Sequence, residues 1–285
     1  MSARFLRWVV GDLRITRILE VEVSGMSFLI PDAVPTNVDR IPWLRPPLVT
    51  AGAEVVACIQ SFAVEAGGRR ILIDTSVGPE RKAEIPTRIE RSMELLEELE
   101  AADFPPDAID TVVFTHLHFD HMGWASRTLR GRRVPTFPRA RYLIARAEWE
   151  HWSGLKDAAT ERLLAETLKP VFEAGQIDLV PADHEIAVGI RLEPTPGHTP
   201  GHVSVDFSSR GARAIVTGDL IHHPAQMARP EWWTTFDSDR DLARETRLAF
   251  LERHAGSQTL IIGSHFPEPT AGHIVREGTA YRFVS

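Results

Sequence analysis

Cysteine is almost missing from this 285-residue chain. One residue, Cys58, stands alone, which excludes an intramolecular disulfide and any multi-cysteine zinc site. Its neighbours in Val55-Val56-Ala57-Cys58-Ile59 are apolar, so it reads as a small buried hydrophobe. Long apolar runs are missing too. Nothing approaches the ~20 residues of a membrane span. Near the start, Arg4 and Arg7 are followed by only Trp8-Val9-Val10 before Gly11-Asp12 breaks the run, which is not a signal-peptide layout; a cytoplasmic home is expected. There is no excess of positive charge. The formal net charge is -7, which argues against a nucleic-acid partner, because phosphate binding needs clustered Lys and Arg. The run Arg127, Arg130, Arg132 and Arg133 reads as a solvated loop. Short repeats and low-complexity segments are also absent.

What is present suits a large soluble core, with 43% hydrophobic and 25% charged residues. Apolar alternation predicts strands within 1–23 and at 54–64, 70–74, 111–115, 141–145, 177–181, 189–195, 202–207, 213–217, 258–262 and 281–284. Three- and four-residue apolar spacing predicts helices at 80–101, 146–153, 157–174 and 239–255. Strands cluster early, helices intervene, and the order returns in the second half: a layered α/β protein with helices outside two sheets. Segment 24–50 carries five prolines among Met26, Phe28, Leu29, Ile30 and Trp43. It reads as an apolar loop, either a lid or a dimer contact, on a single domain spanning 1–285.

The chemistry concentrates after the 111–115 strand, in Thr115-His116-Leu117-His118-Phe119-Asp120-His121. A strand end is rigid, so the loop leaving it can aim several side chains at one point. Imidazole nitrogen and carboxylate oxygen are ligands that zinc and similar ions accept. In extended geometry His116 and His118 point the same way, and Asp120 and His121 can reach a second point nearby. Asp120 alone could serve as a helix cap, but a cap needs no three histidines. The same grammar, an apolar strand and then a turn residue before a ligand-type side chain, recurs at His198 in Pro196-Gly197-His198-Thr199-Pro200-Gly201-His202, at Asp219 after Thr217-Gly218, and at His265 in Gly263-Ser264-His265.

Together His116-x-His118-x-Asp120-His121, His198, Asp219 and His265 resemble the metal-site pattern of metallo-β-lactamase-fold hydrolases, over nearly the whole chain. The resemblance implies a four-layer αββα sandwich with two divalent ions, zinc first among the candidates. One would sit on His116, His118 and His198, the other on Asp120, His121 and His265, with Asp219 between them. Asp74, in Ile71-Leu72-Ile73-Asp74-Thr75, matches the family's early aspartate, which orients a ligand histidine. Two such ions lower the pKa of a shared water, and the resulting hydroxide attacks a carbonyl or phosphoryl centre. Asp120 could also shuttle a proton.

The fragments Gly218-Asp219-Leu220-Ile221-His222-His223-Pro224, Pro230-Glu231-Trp232, Phe236-Asp237 and Gly263-Ser264-His265-Phe266-Pro267 resemble the branch holding N-acyl homoserine lactonases and methyl-parathion-type hydrolases. Lactonases of that branch carry Tyr three residues after the bridging aspartate; here the position is His222, expected to contact substrate. Phe119, Trp124, Trp149, Trp152 and Trp232 are the aromatic candidates for an apolar substrate group. The resemblance thus implies hydrolysis of a lactone or related ester. Phosphotriester or aryl-ester hydrolysis is the enzymatic alternative, and a non-catalytic metal-binding protein the alternative of another class.

Overall fold

The computed structural model describes residues 4–285; the first three residues of the expected 1–23 strand region lie outside the described residues. The chain opens with β1 (Arg7–Val10), β2 (Leu13–Ser24), β3 (Val56–Ala66), β4 (Arg69–Ile73), β5 (Arg88–Ser92) and β6 (Thr111–Val113). It continues with a separate hairpin, β7 (Ser126–Leu129) and β8 (Arg132–Pro135), then β9 (Arg141–Ala145) and β10 (Ile177–Val180). The first sheet runs in the order β1-β2-β3-β4-β6-β9-β10, with β5 also on β2. The second sheet takes the rest in sequence: β11 (Glu185–Ala187), β12 (Ile190–Pro194), β13 (Val203–Ser209), β14 (Ala212–Val216), β15 (Leu260–Ile262), β16 (Ala271–Glu277) and β17 (Ala280–Val284).

Alternation decides how the sheets stack. Ile71, Ile73 and Val113 of the first sheet pack with Val203, Val205, Phe207, Val216 and Ile262 of the second in one buried cluster. Leu72, Val112, Tyr142 and Ile144 face the other way, as the two-residue period of a strand requires. That outer face is covered by α2 (Leu95–Ala101), α4 (Arg146–Gly154), α5 (Ala158–Thr167) and α6 (Lys169–Glu173), after the short α1 (Pro35–Val38) and α3 (Phe119–Met122). The second sheet's outer face packs Ile215, Ile261 and Ile274 against Phe250 and Leu251 of α8 (Arg240–His254), which follows the short α7 (Ala225–Ala228). The result is the αββα sandwich. No helix among the described residues is long and apolar enough to cross a membrane.

Each sheet contains parallel neighbours, β4 with β6 and β14 with β15. Asp74 follows β4, His116 lies just beyond β6, Asp219 follows β14 and His265 lies just beyond β15. In α/β sheets the carboxyl ends of parallel strands are where ligands gather, and here two such ends, one from each sheet, bring their loops together.

Three local expectations fail for tertiary reasons. The expected helix over 80–101 is a strand, β5, followed by only the short α2. β2 is long enough that β1 pairs with its first residues, leaving Val21–Ser24 with a free edge that β5 completes; satisfying that edge overrides the helical spacing. The expected helix 157–174 breaks at Leu168, because Pro170 has no N–H to continue it. The arginine run is a β-hairpin rather than a loop.

The turn after β4 clamps the turn that carries His121. Asp74 and Ser76 both hold positive φ, 55° and 49°. Thr75 N donates to His121 O, Gly123 N to Ser76 O and Trp124 N to Thr75 O. A Cβ on Gly123 would lie 1.9 Å from Val77 O, a backbone atom that cannot rotate away. Gly123→Ala is therefore expected to cost about 3 kcal/mol, measured as a drop in the urea midpoint; an unchanged midpoint would show that the two turns are not pressed together.

Candidate metal centre

Four imidazoles converge at the shared sheet edge, each held by its far nitrogen. Asp74 organises two of them. Its Oδ1 accepts Thr115 N–H and its Oδ2 the Thr115 hydroxyl, both at 2.8 Å. With that hydroxyl proton committed, His116 Nδ1–H donates to Thr115 Oγ1 at 3.1 Å. His121 Nδ1–H donates directly to Asp74 Oδ2 at 2.8 Å. His198 Nδ1–H donates to Asp237 Oδ1 at 2.8 Å, and His265 Nδ1–H to the Cys58 carbonyl at 2.7 Å. Fixing the far nitrogen as a donor leaves each Nε2 lone pair free and aimed inward.

These lone pairs form two groups. His116 Nε2 and His198 Nε2 each lie 2.9 Å from His118 Nδ1. His121 Nε2 and His265 Nε2 lie 3.2 Å apart, with Asp120 Oδ2 at 3.8 and 3.7 Å from them. Asp219 stands between. Its Oδ2 is 3.6 Å from His116 Nε2 and 3.3 Å from His198 Nε2, while its Oδ1 is 3.1 Å from His121 Nε2 and 3.0 Å from His265 Nε2. Its backbone N–H donates to His202 Nε2 at 2.8 Å, and His202 Nδ1–H is spent on the Thr195 carbonyl. Both groups have the ligand types and spacing to hold a divalent cation.

Electrostatics agree with that use. Burial pushes His116 and His118 well below the usual imidazole range. At His121 burial acts the same way but is outweighed by Asp219, Asp74 and Asp120, and the pKa rises. At His198 burial is outweighed by Asp219 and Asp237, which push it up to about 9. Burial alone would raise the Asp219 carboxyl; the surrounding imidazoles, His121 and His265 foremost, hold it well below the carboxylate range. Protons and cations compete for the same lone pairs, so cation binding here would release protons.

Above the site lies a cleft of about 800 Å³, its open mouth included. His118, Asp120, His198, Asp219, His222 and His265 form its floor, and Val23, Met26, Leu29, Ile59, Ile85 and Phe236 are among its apolar walls. Of the aromatic candidates, Phe119 lines the cleft. Trp124, Trp149, Trp152 and Trp232 do not: Trp124 donates to buried Glu20, Trp152 donates to Glu148, Trp149 packs on Phe172 at 4.4 Å and Trp232 is buried in the cluster under segment 24–50. Indoles with an N–H to satisfy go where an acceptor waits, and loop position could not show that. His222 reaches the floor, with Nε2 2.9 Å from Asp219 Oδ2.

Sequence reasoning missed Asp237, His202, Glu148 and the Cys58 carbonyl. A backbone carbonyl leaves no mark in sequence. Asp237 and His202 stood inside quoted motifs, but only the folded partner gives either a role.

A model of the metallo-beta-lactamase superfamily matches residues 59–256, and the chain belongs to that superfamily. Among curated relatives, an N-acyl homoserine lactonase of Bacillus sp. is 26% identical over 151 residues, 53% of this chain and 54% of the relative. The match thus spans about half the length of that relative. Two solved structures share the fold over nearly all of both chains. AidC, a dizinc quorum-quenching lactonase in complex with a product, N-hexanoyl-L-homoserine, has a TM-score of 0.80 at 22% identity, covering 98% of this chain and 96% of that one. The hydrolase AbOPH has a TM-score of 0.79 at 24% identity, covering 100% and 98%.

Proposed function

We propose that the protein is a metal-dependent hydrolase that holds two divalent ions, zinc first, and opens a lactone or cleaves a related ester bearing an apolar group. The observation that carries this reading is Asp219, whose two oxygens face two separate imidazole groups at the floor of an apolar cleft. His116, His118 and His198 would hold one ion, Asp120, His121 and His265 the other, and Asp219 both. Bound there, such ions supply water activation near neutral pH and polarisation of the substrate carbonyl.

The chain's own residues do the rest. The apolar walls exclude water and seat the acyl or alkyl group. His222, whose Nε2 lies 2.9 Å from Asp219 Oδ2, presents its ring to the substrate at the floor of the cleft. Asp120 is the more solvent-accessible of the two site carboxylates, with 18% of its side chain exposed against 4% for Asp219. It is placed to accept the attacking water's proton and return it to the leaving alkoxide. The water oxygen joins the carbonyl carbon, the C–O bond of the ester breaks, and a hydroxy acid forms. Met26, Phe28 and Leu29 on the cleft wall support reading segment 24–50 as a lid rather than a dimer contact.

The test is acid release from an N-acyl homoserine lactone by zinc-loaded and chelator-stripped protein side by side. Turnover by the loaded protein that disappears on stripping is expected. A protein carrying two zinc ions that opens no lactone but cleaves a phosphotriester or aryl ester would move the assignment to those substrates. A protein that binds no metal would overturn it.

A further inference from the structure

Glu148 is a carboxylate that the sequence gives no reason to notice. It lies in the first turn of α4, and the residue is 1% exposed. Its Oε1 accepts the Leu117 backbone N–H at 2.9 Å and the Trp152 indole N–H at 2.7 Å. Its Oε2 accepts the Thr199 hydroxyl at 2.6 Å and the Gly201 backbone N–H at 3.1 Å. Leu117 sits between His116 and His118, and Thr199 follows His198. The indole of Trp152 stands edge-on to the His118 ring at 5.3 Å. One side chain therefore ties together the two separate loops that carry all three imidazoles of the first group.

The chemistry of the partners fixes the residue type. Leu117 N, Gly201 N and Trp152 Nε1 can only donate, and only the Thr199 hydroxyl could turn to accept. A carboxylate satisfies four donors; no neutral side chain of the same shape does. The fit leaves no slack, since a Cβ on Gly201 would come within 2.0 Å of Glu148 N, so the loop after His198 rests directly on the start of α4.

We propose that Glu148 is a positioning residue that sets the distance between the His116–His118 loop and the His198 loop, and so the affinity of the three-histidine group for its ion. This rests on the two-metal reading above. Glu148→Gln makes the sharpest probe. The amide oxygen must stay with the two donors at Oε1, so the amide nitrogen meets Gly201 N–H, donor against donor, while Thr199 turns to accept. The variant thus loosens the His198 side alone.

The experiment is a zinc titration of chelator-stripped protein in competition with a chromophoric chelator, alongside thermal unfolding. Wild type is expected to bind two equivalents. In Glu148→Gln one equivalent is expected to weaken by about 10–100-fold, the usual effect of losing an outer partner of a ligand, with the other unchanged. A merely structural role would lower the melting temperature and leave both affinities intact, which would overturn the proposal. If Glu148→Gln does not fold, Thr199→Val and Thr199→Ser decide. Val removes one of the four bonds and should weaken the same equivalent, and Ser should restore it; equal affinities in both would overturn the proposal. Wild type that binds no zinc would instead overturn the metal reading itself.

Discussion

Replacing Asp219 with Asn is expected to lower hydrolysis about 1,000-fold or more and to leave fewer than two metal ions per chain. The carboxylate is nearly isosteric with the amide, so the loop can keep its shape and the loss reads the charge. Asp219 is an anion among five imidazole nitrogens, at 2.9 to 3.6 Å from each. In the Asn variant one of the two oxygens becomes an NH2, a donor that holds no cation. Whichever way the amide turns, one imidazole group loses its only shared anion. On the two-metal reading, several kcal/mol of transition-state stabilisation would depend on the metals, and about 4 kcal/mol is a factor near 1,000. Metal content after dialysis and initial rates on the same lactone check both halves of the expectation. Two retained ions with a rate within tenfold of wild type would rule out the proposed bridging role of Asp219.

The parts of this site that sequence made legible are those that one strand end presents at once. His116 to His121 needed no fold to be recognised, because the cluster is contiguous and richer in imidazole than any cap or turn requires. His198, Asp219 and His265 were legible because each follows an apolar strand in the same manner, and strand ends are what the sheets bring together. The groups that hold these side chains were not legible. Glu148 belongs to an ordinary helical pattern; its importance comes from loops 31 and 53 residues away. The tryptophans misled for the converse reason: their proximity to the motifs is real in sequence, but Glu20 and Glu148 draw two of the indoles inward. β5 was hidden because a free edge on β2 exists only after β1 and β3 have paired. Local pattern thus exposes the residues whose own functional groups face the site, and conceals those that touch it only through another residue.

Arg247→Met is expected to destabilise the protein by about 4 kcal/mol, and to do so at the site rather than at a remote point in the core. Arg247 is 1% exposed on α8. Its Nε donates to Leu220 O at 3.0 Å and its Nη1 to Pro230 O and Trp232 O at 2.9 Å. Burial pushes its pKa down to about 10, still far above neutrality, so the guanidinium remains charged. The three carbonyls bracket the loop that carries His222 and begins directly after Asp219. Met preserves much of the apolar stem but supplies no donor. Trp232 O keeps the Gln226 amide as a partner, so Leu220 O and Pro230 O are the carbonyls this loss strands. At about 1–3 kcal/mol for each buried group left without a partner, two such losses give the expected figure, or a fall of roughly 8–16 °C in Tm at the 2–4 °C per kcal/mol typical of larger domains. Arg247→Lys separates charge from geometry. One ammonium can serve the Pro230 and Trp232 carbonyls together but cannot also reach Leu220 O, so Lys should fall between Arg and Met. A Met variant within 1 kcal/mol of wild type would show that the loop holds its own shape, and that the place of Asp219 owes nothing to α8.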